Sequence, residues 1–258
     1  MTRVTFSDDG DIVFRLPCQW SNLTNREVRT VYRFMAVTPR DELPIVLFGI
    51  LTNMRVNRCE PDKTAVSFLI DGKTVNTWID NIVLSELSKK LEFVFDPGDY
   101  PVRSEYIDGR RAVDRCFHGL TFGEYIRIES LYQGYITSKN AEALVRIANI
   151  LYRHETKKKE KPITELRQWQ SLMIISWVTQ VKSLFASTFD DFFKPAAGEV
   201  EAPAMLEIID NEIRALTGGD VSKEKEILEI DCWRALTELN FKAREAEEYN
   251  RRMAKVKS

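Results

Sequence analysis

The chain has 258 residues, 44% of them apolar, enough to bury a sizeable core without disulfide or metal staples. Its 37 lysines and arginines against 39 acidic residues leave a formal charge of −2, which excludes a global attraction to nucleic acid or to an anionic membrane and confines any such contact to a local patch. No run approaches the roughly 18 apolar residues of a membrane span, the opening MTRVTFSDDGDIVF lacks signal-peptide order, and Cys18, Cys59, Cys116 and Cys232 are too far apart for a zinc or disulfide framework, which predicts a soluble protein, made inside the cell, with buried free thiols.

Three Asp-Gly steps, Asp9-Gly10, Asp71-Gly72 and Asp108-Gly109, punctuate the front half, and each is flanked by segments rich in β-branched and aromatic residues. Asp-Gly tolerates the positive φ angles of a tight hairpin, so RVTFS with DIVFRL, AVSFLI with TVNTWI, and SEYI with RAVDRCF are predicted hairpins, with LEFVF as a further strand. Nothing alternates as βαβ, which excludes a Rossmann-like sheet. Two helices interrupt the hairpins. Thr24-Asn-Arg-Glu27 has the side chains of a capping box ahead of Val28, Val31, Tyr32 and Met35 on one face, and LPIVLFGIL after Pro39 is apolar on all sides, as a buried helix would be.

The stretch His118-Gly-Leu-Thr-Phe-Gly-Glu124 has two glycines four apart, but lacks the strand and spacing of a phosphate loop. Thr121-Phe-Gly-Glu124 is a second capping-box spacing, so the pair predicts a helix entrance. Ser138 is the expected cap of a helix through NAEALVRIANILYR, and the longest apolar pattern, from Ile163 to Phe193, predicts one long helix or two joined by a bend near 183–187. A Pro, Gly and acidic stretch at 194–203 reads as a linker. Beyond it, MLEIIDNEIRALTGGD predicts a short helix stopped by Gly218-Gly219, and Ser222 opens a charged helix to the C-terminus with Ile227, Ile230, Trp233, Leu236 and Leu239 as its apolar stripe. That stripe has to dock on the body or on another chain. The expected fold is α+β and predominantly helical: a β-rich segment over 1–120 with two inserted helices, a helical core over 121–193, the linker, and a helical module over 204–258.

Catalytic chemistry finds few carriers. Only His118 and His154 are present, Cys116 beside His118 has no further soft ligand near it, and no motif of a metal site, cofactor or nucleophile is visible. Lys157, Lys158, Lys159 and Lys161 form the one concentrated basic run, which is either a solvated loop or a non-specific contact to DNA phosphates. Phe189, Phe192 and Phe193 around Asp190-Asp191 either close a core or anchor a partner, and with Ile227, Ile230, Trp233 and Leu236 they are candidate subunit-interface residues.

Four stretches taken together resemble structural proteins of tailed bacteriophages and prophages of the Bacteroidetes, the crAss-like phages among them. They are Leu16-Pro-Cys-Gln-Trp20-Ser-Asn-Leu23-Thr24, similar to an LPxxWxxLT opening; Leu120-Thr-Phe-Gly-Glu-Tyr125, similar to an LTFGEF/Y helix entrance; Ile150-Leu-Tyr-Arg153; and Trp233-Arg-Ala-Leu-Thr-Glu-Leu-Asn-Phe-Lys-Ala-Arg-Glu245, similar to a WxxLxELNxKAxE close. The resemblance implies a non-enzymatic, cofactor-free virion subunit made in the host cytoplasm. It would be a ring or connector protein of the neck or tail, assembled in several copies around the DNA passage, with itself, the portal and other neck or tail proteins as partners and no membrane. A tail-assembly chaperone, and an enzyme whose site is built from scattered residues, are the alternatives.

Overall fold

A computed structural model of the chain describes residues 3–7, 11–96, 98, 100–154, 161–194 and 205–257. The fold is α+β with helices predominating: nine α-helices and three small antiparallel sheets among the described residues. Two compact units divide the chain, one formed by residues 1–104 with 167–173, the other by 105–166 with 174–258. These limits differ from the sequence boundaries at 120, 193 and 203.

In the first unit, β1 (Arg3–Phe6) pairs antiparallel with β2 (Ile12–Arg15) from Arg3 opposite Arg15 to Phe6 opposite Ile12. The turn residues 8–10 lie outside the described residues. Trp20 of the LPxxW stretch is buried and stacks on Tyr32 at 5.3 Å, which fixes the entrance to α1 (Asn25–Met35). The capping box is complete: the Thr24 N–H donates to Glu27 Oε2 at 2.8 Å and the Glu27 N–H to Thr24 Oγ1 at 3.3 Å. The apolar helix is α2 (Leu43–Thr52), with Leu43, Leu47 and Phe48 fully buried. A three-stranded sheet follows in the order β3 (Arg55–Cys59), β4 (Lys63–Ile70), β5 (Lys73–Asp80), and its Asp71-Gly72 turn has φ of 47° and 78°.

A third helix, α3 (Asn81–Lys89), was not among the two expected; its start is fixed by Asp80, whose carboxylate accepts the Ile82 N–H at 2.7 Å. LEFVF is a 3-10 turn over Glu92–Phe95 rather than a strand, because Leu91 and Val94, three apart, both bury and the backbone bonds locally.

The second unit opens with a hairpin of β6 (Tyr106–Ile107) and β7 (Arg110–Ala112), closed by Asp108-Gly109 and extended by β8 (Tyr152–Arg153). Thr121 and Glu124 form the second capping box, at 3.0 and 3.2 Å, and open α4 (Phe122–Ser138). Ser138 does not cap the next helix. It ends α4, Lys139 turns the chain at φ 56°, and Asn140 caps α5 (Ala141–Leu151) by accepting the Glu142 N–H at 2.9 Å.

The long helix is α6 (Gln168–Thr188), shorter at both ends than Ile163 to Phe193 and without the bend. Its start is delayed because Asn149 holds Ile163 extended, accepting its N–H at 2.8 Å and donating to its carbonyl at 2.9 Å. Helix α7 (Met205–Thr217) stops at Gly218 and Gly219, both at positive φ. The expected single terminal helix is two, α8 (Glu224–Glu229) and α9 (Cys232–Lys257), and the preceding turn is capped by Asp220, not opened by Ser222. The break falls at Ile230, which is extended because its carbonyl accepts the Phe122 N–H while the Cys232 N–H donates to the Leu120 carbonyl, both at 2.8 Å.

Candidate functional site

Two places in the second unit gather polar chemistry. The first is the junction of the LTFGEY and WRALTELNFKARE stretches. Asp231 accepts the Trp233 N–H at 2.9 Å, capping α9, and with its other oxygen the Gly119 N–H at 2.8 Å. Gly119 needs its φ of 78° to turn there. Gly123 serves a different purpose: a Cβ at that position would meet the Leu228 carbonyl oxygen at 3.2 Å, so its missing side chain lets α8 approach. His118 stacks flat on Trp233 at 4.5 Å, and the Trp233 indole N–H donates to the Cys116 carbonyl at 2.7 Å. Cys232 is buried with its thiol donating to the Phe117 carbonyl at 3.3 Å, and burial, reinforced by Asp231, pushes its pKa up to about 12. A thiol so placed is no nucleophile. This junction is a framework.

The second place is a cavity of about 730 Å³ among α4, α7, α9 and the residues after α6. Its walls are mostly apolar, with Ile126, Phe192, Phe193, Ile208 and Leu239 among them. Three charged groups interrupt them. Glu129 on α4 is ion-paired with Lys182 on α6 and accepts from the Gln133 amide at 3.1 Å; the Lys182 ammonium also lies 5.3 Å from the centre of the Tyr132 ring. Glu212 on α7 faces this pair, and burial first, then the Glu129 charge, opposed by Lys182, lifts its pKa to about 7. The same burial and carboxylates raise the Tyr125 hydroxyl well above its ordinary value. Glu212 so placed gains or loses a proton near neutrality.

Glu129 and Glu212 are 83 positions apart, so adjacent-carboxylate pairs in the sequence gave no sign of them. The available signal was Glu212 one helical turn beyond Ile208 in MLEIIDNEIRAL, on a face that is otherwise apolar.

The residues singled out from sequence are divided by the fold. Phe189 closes the core: it is 4% exposed and lies edge-on to Phe185 at 5.8 Å and Trp233 at 5.4 Å. Leu236 is fully buried. Phe192 and Phe193 are half-buried in the cavity wall, and Ile227, Ile230 and Trp233 are half-buried in their own unit, so the stripe of the terminal helices docks on its own chain.

Lys157, Lys158 and Lys159 lie outside the described residues. Lys161 is exposed, and its carbonyl accepts from the buried Arg110 guanidinium, which also donates to His154 Nε2 at 2.6 Å and Asn149 Oδ1 at 3.2 Å. The thiols differ from expectation: Cys18 and Cys59 are exposed, Cys116 is half-buried, and Cys232 alone is buried. Among the described residues, no group of three histidines, cysteines or acids could hold a metal, and no helix is long and apolar enough to cross a membrane. Compared with family models, curated proteins and solved structures, the chain matches none.

Proposed function

We propose that the chain is a structural subunit of a tailed-phage virion, a ring-forming connector of the neck or tail that joins portal to tail around the DNA passage. Two lines support this. The first is the resemblance itself: Leu120 and Phe122 of the LTFGEY stretch hydrogen-bond to Cys232 and Ile230, immediately before the WRALTELNFKARE stretch, so these two motifs lie beside one another in the fold. The second, which carries the reading, is the surface of the first unit. Its three-stranded sheet has an edge strand on either side, and Val56, Leu69 and Trp78 are large apolar residues left exposed on it. Open edges and exposed apolar side chains are what an assembling subunit keeps for its neighbours.

The test is the mass of the full chain by light scattering together with its abundance in purified virions. A multi-subunit species that is stoichiometric in virions is the expected result. A monomer that is absent from virions overturns the reading, and a multimer absent from virions transfers the chain to tail-assembly chaperoning. The cavity at Glu212 favours a second reading, a small-molecule or enzymatic site; a panel of metals, nucleotides and amines that leaves the melting temperature unmoved would remove it.

A further inference from the structure

The first unit has a cleft of about 540 Å³ beside β5. Six consecutive residues of that strand, Val75 through Asp80, line it. Successive side chains of a strand point to opposite faces, so a wall made of consecutive residues means that the cleft runs along the strand's edge, beside its backbone. Among the described residues no strand pairs with that edge, and alternate residues of an antiparallel edge strand aim N–H and C=O groups outward. The opposite wall is apolar, with Phe6, Ile12, Phe14 and Val83, and Asp11 lies among these residues. Such a cleft fits an extended segment with one apolar face.

The same sheet ends on its other side in a strand of that description. All five residues of β3 are exposed. Val56 pairs with Val66 and Cys59 with Thr64, and both partners are buried, so Val56 and Cys59 lie on the inner face of the sheet; the bulge between Val56 and Arg58 brings both to that face. Val56 is nevertheless 55% exposed. Arg55 and Arg58 pair with Ser67 and Ala65 on the outer face, the face on which Trp78, 47% exposed, stands opposite Ala65 and Asp80 opposite Lys63.

We propose, resting on the assembly reading above, that β3 of one copy adds to β5 of the next, seating Val56 and Cys59 on the Phe6, Ile12 and Phe14 wall and Arg55 and Arg58 on the face of Trp78 and Asp80. Lengths agree: five residues of β3 span about 17 Å and the six of β5 about 20 Å. Charge agrees as well, because the pairing brings Arg55 and Arg58, the latter paired with Glu60 at 3.3 Å within its own chain, to the face that carries Asp80. A β3 to β3 pairing would bring four arginines together. Each copy offers one edge of each kind, so the contact is head-to-tail, and head-to-tail contacts generate rings when the rotation closes and filaments when it does not.

The test uses the full chain with Val56→Asp, and separately Val75→Cys or Thr77→Cys on a Cys18→Ser background, where native Cys59 is the expected cross-linking partner. Expected are a multimer for wild type, a folded monomer with an unchanged circular dichroism spectrum for Val56→Asp, and, on oxidation of at least one cysteine variant, a covalent ladder that Cys59→Ser abolishes. A wild-type multimer that survives Val56→Asp, or that yields no ladder from either position, overturns the edge pairing while leaving the ring reading intact, since assembly then uses another surface. A wild-type species no larger than a dimer overturns the head-to-tail arrangement. A wild-type chain that stays monomeric at every concentration removes the assembly reading and this inference with it.

Discussion

Gly123 shows how a residue can follow one rule and answer to another. In the first turn of a helix, alanine is intrinsically better than glycine by up to about 1 kcal/mol. Here the added Cβ would come within 3.2 Å of the Leu228 carbonyl, a backbone atom of α8 that cannot swing aside, and overpacking of this kind costs about 1–3 kcal/mol. Gly123→Ala is therefore expected to destabilise by about 1 kcal/mol net, read as a lowered midpoint in urea. The sign for Glu212 is also fixed by its surroundings. Its folded pKa of about 7 lies above the ordinary 4.5, so between those values the folded state binds more protons than the unfolded chain. Stability from this group is complete below about pH 4.5 and is lost as pH rises through 7, by up to about 3 kcal/mol. Glu212→Gln should match wild type near pH 4.5 and exceed it at pH 8 in chemical unfolding. An equal loss with pH in both proteins would show that Glu212 is ionised in the fold without strain.

Among elements, what was legible has causes within a few residues, although α3 behind Asp80, the Asn140 cap of α5 and the 3-10 turn at Glu92–Phe95 are just as local and were missed; what distant partners set was not legible. Both capping boxes form as Thr24 with Glu27 and Thr121 with Glu124 predict, because each partner is three positions away. The Asp71-Gly72 and Asp108-Gly109 hairpins and the Gly218-Gly219 stop are equally local. The delayed start of α6 depends on Asn149, 14 positions before Ile163, and the break at Ile230 depends on Leu120 and Phe122, more than 100 positions earlier. No periodicity carries that information. The same distance explains why Glu129, Lys182 and Glu212 were not grouped from sequence.

The terminal helices accordingly behave as core rather than as an appendage. Cys232, Ala235 and Leu236 are fully buried, and Trp233 meets Phe185 and Phe189 edge-on. A chain cut after Glu199 should lose the cooperative unfolding of the second unit and bind a hydrophobic dye, instead of giving a compact monomer. Retention of a sharp melting transition by the truncated chain would show that α7, α8 and α9 dock without being required.

For the whole molecule, the balanced charge divides the two contacts expected of a ring around DNA. The edge pairing proposed between copies would depend on main-chain hydrogen bonds and on apolar residues such as Val56, which salt screens little, whereas contact with phosphates by Lys157, Lys158, Lys159 and Lys161 would release counterions and weaken steeply as salt rises. With a net charge of −2 per chain there is no background attraction to mask the difference. Raising salt from about 0.05 to 0.5 M should leave the mass in light scattering unchanged while DNA retention falls, with a log–log slope of roughly 0.9 for each phosphate neutralised. Substituting the four lysines with alanine should flatten that slope and leave the mass alone. If salt instead dissolves the multimer, the arginines of β3 hold it together rather than the strand edge, because an ion-pair interface is the arrangement that screening would undo.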